Sequence, residues 1–176
     1  RLTKEEEWLK TSAGDTWLPT SLTYDAYGNV LTVTDALNRT TRNTYDATGT
    51  YLVKIENVLG HTRQLEYDPR FGVVSTSTDP NGQRTVTTYD ECGQLISVAG
   101  PEDNVSWPAV QYHYDPCTES DTCRAPLVTT VSTRERSGTE PPLKSYVVTD
   151  GLGRTIQTRS PAENPTQQVV TGTVEF

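Results

Sequence analysis

The chain has 176 residues, a formal net charge of −8 and only 33% hydrophobic residues. That length allows one sizeable domain or two small ones, and the acidic balance excludes a nucleic-acid backbone as the natural partner, since phosphate binding wants a clustered basic surface. No run of residues reaches the apolar length a membrane-spanning segment needs, and the low apolar content with abundant Thr suits a two-faced sheet, hollow or open, better than a thick globular core.

The chain begins at Arg1 and contains no Met, which reads as a segment of a longer protein. Residues 1–23 form a lead-in. Glu5, Glu6 and Glu7 precede Trp8 and Leu9, a pattern open to one helical turn or an incoming strand, with Trp8 expected to tuck onto a sheet. Trp17, Leu18 and Leu22 follow and read as core, with Pro19 confining any central strand to the residues after it.

Residues 24–99 say one thing four times. Tyr24-Asp25, Tyr45-Asp46, Tyr67-Asp68 and Tyr89-Asp90 recur at 21, 22 and 22 residues, and Tyr114-Asp115 is a looser fifth copy. A fixed period of this size marks a repeat architecture. Three residues after the aspartate stands Gly28, Gly49 or Gly93, and in the third copy Gly72 comes one residue late. Asp at the first position of a turn and Gly at the fourth fit a type I turn closed by a left-handed residue, a common hairpin connection. A second set alternates with the first: Asp35 to Asn38, Asn57 to Gly60 and Asp79 to Gly82, echoed at Asp150-Gly151-Leu152-Gly153. Two turns per repeat give two strands per repeat, and the runs between, such as Val30 to Thr34 and Val73 to Thr78, are rich in the Thr, Val, Ile and Tyr that strands favour. The chain is therefore expected to be all-β, a long antiparallel meander. Apolar alternation in these runs is incomplete, as in Val30-Leu31 and Leu95-Ile96, which reads as two partly covered faces or a face lining a cavity.

Alternation of Tyr-Asp-x-x-Gly with Asp-x-x-Gly-(Arg/His)-Thr at this period resembles the YD repeats of the Rhs family, with its teneurins, bacterial wall-associated proteins and B and C components of insecticidal toxin complexes. Asp150-Gly151-Leu152-Gly153-Arg154-Thr155 resembles the toxin B-component branch. The resemblance implies a β-sheet curled or spiralling into a shell that encloses a C-terminal, toxic polypeptide, secreted or at the cell surface and bearing on virulence. It implies flanking repeats of the same or a partner chain as partners, no cofactor and no catalysis. The self-cleaving segment of some family members is missing here, so that activity does not carry over.

Residues 100–176 read as degenerate repeats with longer loops. The structural repeat residues are Tyr24, Asp25, Gly28, Tyr45, Asp46, Gly49, Tyr67, Asp68, Gly72, Tyr89, Asp90, Gly93, Asp150, Gly153 and Arg154, the tyrosines as a packing ladder and the aspartates as acceptors of turn N–H groups. Cys117 and Cys123 are open to two readings, a bridge pinning a polar loop or two free thiols. Trp107, Tyr112 and Tyr114 carry the alternative function, an extracellular adhesion or carbohydrate-binding module. Catalysis has no constellation behind it: His61 stands where Arg39 and Arg154 stand in other copies, and His113 sits beside no motif. No metal site is expected, because Cys92 and His113 lack zinc-ligand spacing and no loop has the acidic spacing of a calcium motif.

Overall fold

The computed structural model describes residues 1–12, 14–104, 106–114, 127–135, 142–150, 152–164 and 167–172. Its strands are β1 (Lys4–Thr11), β2 (Gly14–Tyr24), β3 (Val30–Thr34), β4 (Thr40–Tyr45), β5 (Leu52–Glu56), β6 (Thr62–Asp68), β7 (Val73–Thr78), β8 (Arg84–Tyr89), β9 (Leu95–Ala99), β10 (Val110–Tyr114), β11 (Leu127–Thr133), β12 (Leu143–Thr149), β13 (Thr155–Pro161) and β14 (Gln168–Thr171). Order in the sheet equals order in the chain, so the protein is an all-β antiparallel meander that is not closed into a barrel. No helix among the described residues is long and apolar enough to cross a membrane.

The chain divides into two compact units, Arg1–Arg84 and Thr85–Phe176. In the first, each strand packs on its sequence neighbours and on no other strand among the described residues. A thick core has no place in such an arrangement, and Thr76 is the one described residue of this unit that is fully buried. The sheet is held instead by its backbone ladders and by hydroxyl pairs directly across them. Thr23 faces Thr32 with their oxygens 2.6 Å apart, and Thr34 faces Thr40 at 2.9 Å. Such cross-strand pairs each contribute a few tenths of a kcal/mol, about 0.2–1. The second unit has the same ladder chemistry at Thr88 and Ser97, 2.7 Å apart, and adds a small buried set in Ser97, Ala99, Pro108 and Val148.

Of the two readings open for the lead-in, the structure takes the strand: β1 and β2 pair along their length from Lys4 opposite Ser21 to Thr11 opposite Gly14. β2 runs through Pro19, but β3 pairs with β2 only from Ser21 onward, so the central stretch of β2 follows the proline as expected, and the missing N–H costs nothing where β2 has a partner on one side alone. The lead-in aromatics, by contrast, form no core. Trp8 is 51% and Trp17 59% exposed, because both stand on the part of the hairpin that extends past β3.

Candidate functional site: turn, bulge and tyrosine

Each repeat aspartate builds its turn through both its backbone and its carboxylate. At Asp25 the carbonyl accepts from the Gly28 N–H at 3.3 Å, while Oδ1 accepts from the N–H groups of Gly28 and Asn29 at 2.7 and 2.8 Å. Asp46 Oδ1 takes those of Thr50 and Tyr51, and Asp90 Oδ1 those of Cys92 and Gln94. In the late third copy Gly72 donates to the Asp68 carbonyl at 2.8 Å and Arg70 to its carboxylate, which absorbs the extra residue. The second turn set has the same geometry at Asp35, Asn57 and Asp79. Its fourth position needs a left-handed backbone: Asn38 has φ 59°, where Gly60 has 77° and Gly82 has 79°.

Electrostatics follow from these bonds. The Arg39 N–H, then the Arg39 side chain, holds the Asp35 carboxyl below its ordinary value against partial desolvation, and Arg154 does the same for Asp150. The Thr48 hydroxyl and the turn N–H groups lower Asp46, and the Arg70 guanidinium lowers Asp68. At Asp25 desolvation is the largest single influence and raises the value, but the donors of Asn29, Gly28 and Tyr27 together outweigh it. All these carboxylates are committed to turns as acceptors.

Two residues beyond each of the four Tyr-Asp turns of residues 24–99 the ladder slips. Tyr24 faces Val30 but Thr23 faces Thr32, leaving Leu31 unmatched; Val53, Ser75 and Ile96 are the equivalents after Tyr45, Tyr67 and Tyr89. These are β-bulges, each of which bends its strand and increases the local right-handed twist. A bulge disturbs backbone pairing, and the tyrosine of the following copy attends to the neighbouring carbonyl. The Tyr67 hydroxyl donates to Leu52 O at 3.0 Å and Tyr114 to Leu95 O at 3.0 Å. At Val30 O the Tyr45 hydroxyl, 3.4 Å away, is joined by the Asn43 amide at 2.9 Å. The Tyr24 hydroxyl donates to Leu2 O, ahead of β1. Burial raises the Tyr114 hydroxyl above its ordinary value, with Tyr112 and Asp90 adding to it, so it stays protonated as a donor.

The turns of the first unit also touch one another. Asn29 donates its amide to Gly49 O at 2.7 Å, and a Cβ built on Gly49 would lie 2.8 Å from Tyr27 Cδ2. Tyr51 stacks on Tyr67 with ring centroids 4.7 Å apart. Neither Tyr27 nor Tyr51 figures in the Tyr-Asp pattern, and the bulges were missed too. Their signal was present: Val30-Leu31, Leu52-Val53 and Leu95-Ile96 are doubled apolar residues where alternation allows one.

Asp150, Gly153 and Arg154 combine features of both turn sets. The Arg154 Nε bond to Asp150 at 2.7 Å repeats that of Arg39 to Asp35. Yet their hairpin, β12 to β13, carries a bulge between Val148 and Thr149, as the Tyr-Asp hairpins do, with Thr149 in the tyrosine's place. Among the other candidate residues, Trp107 is 40% exposed with the Arg134 guanidinium 4.8 Å over its ring. Tyr112 and Tyr114 are half-buried on β10. Cys92 is a free, exposed thiol in the Asp90 turn, whereas Cys117 and Cys123 lie outside the described residues. His61 sits in the Asn57 turn and His113 points outward from β10. Among the described residues no three His, Cys, Asp or Glu side chains converge on a metal-sized site.

Comparison with known proteins agrees with this geometry. The sequence matches the family model of the teneurin YD-shell over residues 3–125. No match is found among curated proteins. Solved structures of similar fold include TcdB2-TccC3, at TM-score 0.72 and 18% identity over 97% of this chain and 11% of that one. TcdB2-TccC3-TEV gives 0.71 and 15% over 97% and 13%, and TcdB2-TccC3-Cdc42 gives 0.69 and 14% over 97% and 14%. The chain thus spans between 11% and 14% of the length of those structures, and at these identities the likeness is one of fold. With the repeated turn, bulge and tyrosine in register and the match covering residues 3–125, the chain belongs to the teneurin YD-shell family.

Proposed function

We propose that this chain is a stretch of shell wall whose work is mechanical: it encloses a polypeptide, and it catalyses nothing itself. The observation that carries the proposal is the bulge repeated after the four Tyr-Asp turns of residues 24–99. A sheet bent at regular intervals is what a curved wall requires, and its strands spend their side chains on cross-strand pairing and hydroxyl ties instead of on a cleft. In this reading residues 24–99 are regular wall, residues 1–23 lead into it and residues 100–176 are wall with longer loops. The repeat tyrosines, aspartates and glycines are structural, and the partners are flanking repeats of the same or a partner chain and an enclosed C-terminal polypeptide. The likeness to TcdB2-TccC3 supports a secreted or surface-associated toxin setting.

Limited proteolysis tests the enclosure. In the protein that carries this chain with its flanking sequence, an enclosed segment resists protease while the wall is intact. Breaching the wall with Gly49→Trp, where Tyr27 leaves no room, should render that segment cleavable before the wall itself. Equal cleavage of wall and segment in the unaltered protein would sink the proposal.

A further inference from the structure

The turns of the second set carry Leu at their third position, as Leu37, Leu59 and Leu152, except for the one that opens at Asp79, which carries Asn81. Its fourth position is Gly82, held at φ 79°. Together they make Asn81-Gly82, the one place in the chain where asparagine precedes glycine. That pair has a chemistry of its own: a glycine amide nitrogen that has lost its proton attacks the side-chain amide before it, with no side chain of its own to hinder the approach. Both residues are exposed, and a Cβ built on Gly82 would meet nothing within 4 Å, so base and water have access.

The folded turn withholds the reaction. The Gly82 N–H donates to Asp79 O at 3.0 Å, so the proton that must leave is held. The Asn81 side-chain amide reaches back toward Asp79 Oδ2, at 3.5 Å. Asp79 Oδ1 fixes the backbone around the pair, accepting from the N–H groups of Asn81 and Gln83 at 2.8 Å each. The third position of a type I turn has ψ of about 0°, which swings the next nitrogen away from the side chain that ring closure must join to it.

We propose that Asn81 is a deamidation site, which the Asp79 turn keeps closed and which reacts when that turn opens. The Gly82 nitrogen, deprotonated by hydroxide, forms a bond to Asn81 Cγ. The Cγ–Nδ2 bond breaks, and its nitrogen takes up a proton from water and leaves as ammonia. Water then adds to one of the two carbonyls of the cyclic imide so formed. Breaking the new bond to Cγ leaves aspartate at position 81; breaking the original peptide bond leaves isoaspartate, whose main chain runs through Cβ and Cγ and is one atom longer. That extra atom displaces the Gly82 N–H from Asp79 O, so the turn does not close again as before. The inference is separate from the wall proposal, since it needs neither a flanking repeat nor an enclosed chain.

The test incubates the protein at mildly alkaline pH, folded and in urea, and follows every asparagine by peptide mass spectrometry. Asn81 should convert at least about tenfold faster in urea, because in the folded chain the turn must open first. Both aspartate and isoaspartate are expected there, with the other asparagines intact over the same interval. Asp79→Ala removes the carboxylate that fixes the turn and should bring the folded rate toward the rate in urea. Asp79→Asn should keep it low, since Asn57 builds the same turn with a neutral amide. Asn81→Leu, with the residue of the sister turns, should abolish conversion in both conditions. Equal rates at Asn81 in the folded chain and in urea would overturn the proposal, as would another asparagine converting as fast as Asn81 in urea. That comparison uses the unaltered protein, so it decides the matter even where Asp79→Ala fails to fold.

Discussion

In residues 1–84 two kinds of hairpin share one turn and part company two residues into the strand. The Asp35 and Asp25 turns close with the same backbone bonds, and in both the carboxylate accepts from the N–H four residues on. After Asp35 the ladder continues without a slip, Thr34 to Thr40 and then Val33 to Thr41; after Asp25 it skips Leu31. Turn chemistry therefore closes a hairpin but does not bend it. The bulge goes with its place in the meander, and the tyrosine of the next copy ties down the carbonyl beside it. The β12 to β13 hairpin, bulged with Thr149 where tyrosine stands elsewhere, shows that a bulge forms without a tyrosine at the hairpin's own position.

The largest effect should come from the glycines that separate the two hairpin kinds. Gly49 has φ 69° and Tyr27 against it, while Gly60 has φ 77° and open space. Gly60→Ala is expected to cost about 1 kcal/mol for the left-handed backbone, and Gly49→Ala about 2 kcal/mol or more, because Tyr27 must also move. Urea denaturation of the two variants measures the difference, and equal costs would show that contact between turns contributes nothing. Next is the hydroxyl brace. Tyr67→Phe leaves the Leu52 carbonyl short of a donor and should cost about 1 kcal/mol. Tyr51→Phe keeps the ring stack and serves as the control, expected within about 0.5 kcal/mol of the parent. If the two variants are alike, the hydroxyl is not what braces the bulge.

Acid sensitivity discriminates more finely. The Asp35, Asp46 and Asp150 carboxyls are lowered in the folded protein, so between the unfolded value near 4 and the folded value the unfolded chain binds more protons. Their stabilisation is present above about pH 4 and is lost as pH falls through the folded values. Denaturation midpoints should drop on that acid limb. Asn57 already fills the Asp35 role with a neutral amide, accepting from Leu59 and His61. Asp35→Asn should therefore keep its turn and show a shallower acid limb; an unchanged limb would mean that this carboxylate is not tuned by its turn. The smallest effect is expected from Arg39→Ala, whose exposed ion pair with Asp35 contributes about 0.5 kcal/mol and less at high salt.

Strand order, turn positions and the meander could be read from the sequence, because Tyr-Asp and Asp-x-x-Gly are local devices whose physics is complete within five residues. β3 and β7 begin and end where the spacing of turns puts them. The bulges could not be read the same way. A bulge is a relation between two strands, and Leu31 or Ile96 in one strand cannot say which residue opposite will be skipped. Their doubled apolar residues read as two partly covered faces or a face lining a cavity, a fair inference from pattern alone. Trp8 and Trp17 mislead for a different reason: aromatic side chains predict burial only where something lies over them, and β3 is too short to reach that far. The tyrosine ties were half legible, since their place before a turn was evident but not the carbonyl that each hydroxyl would find.

The strict neighbour-to-neighbour order of the strands has a bearing on how the chain is made. From β1 to β9 each hairpin of this meander closes over a loop of a few residues, so the entropy of loop closure is small at every one of those steps and folding need not wait for a distant partner. Such a chain can order itself from its first strands onward while the remainder is still being synthesised, each finished hairpin serving as the template edge for the next. The same property makes length cheap to change, since adding or removing one repeat of about 22 residues alters a single seam and leaves the pairing of every other strand as it was.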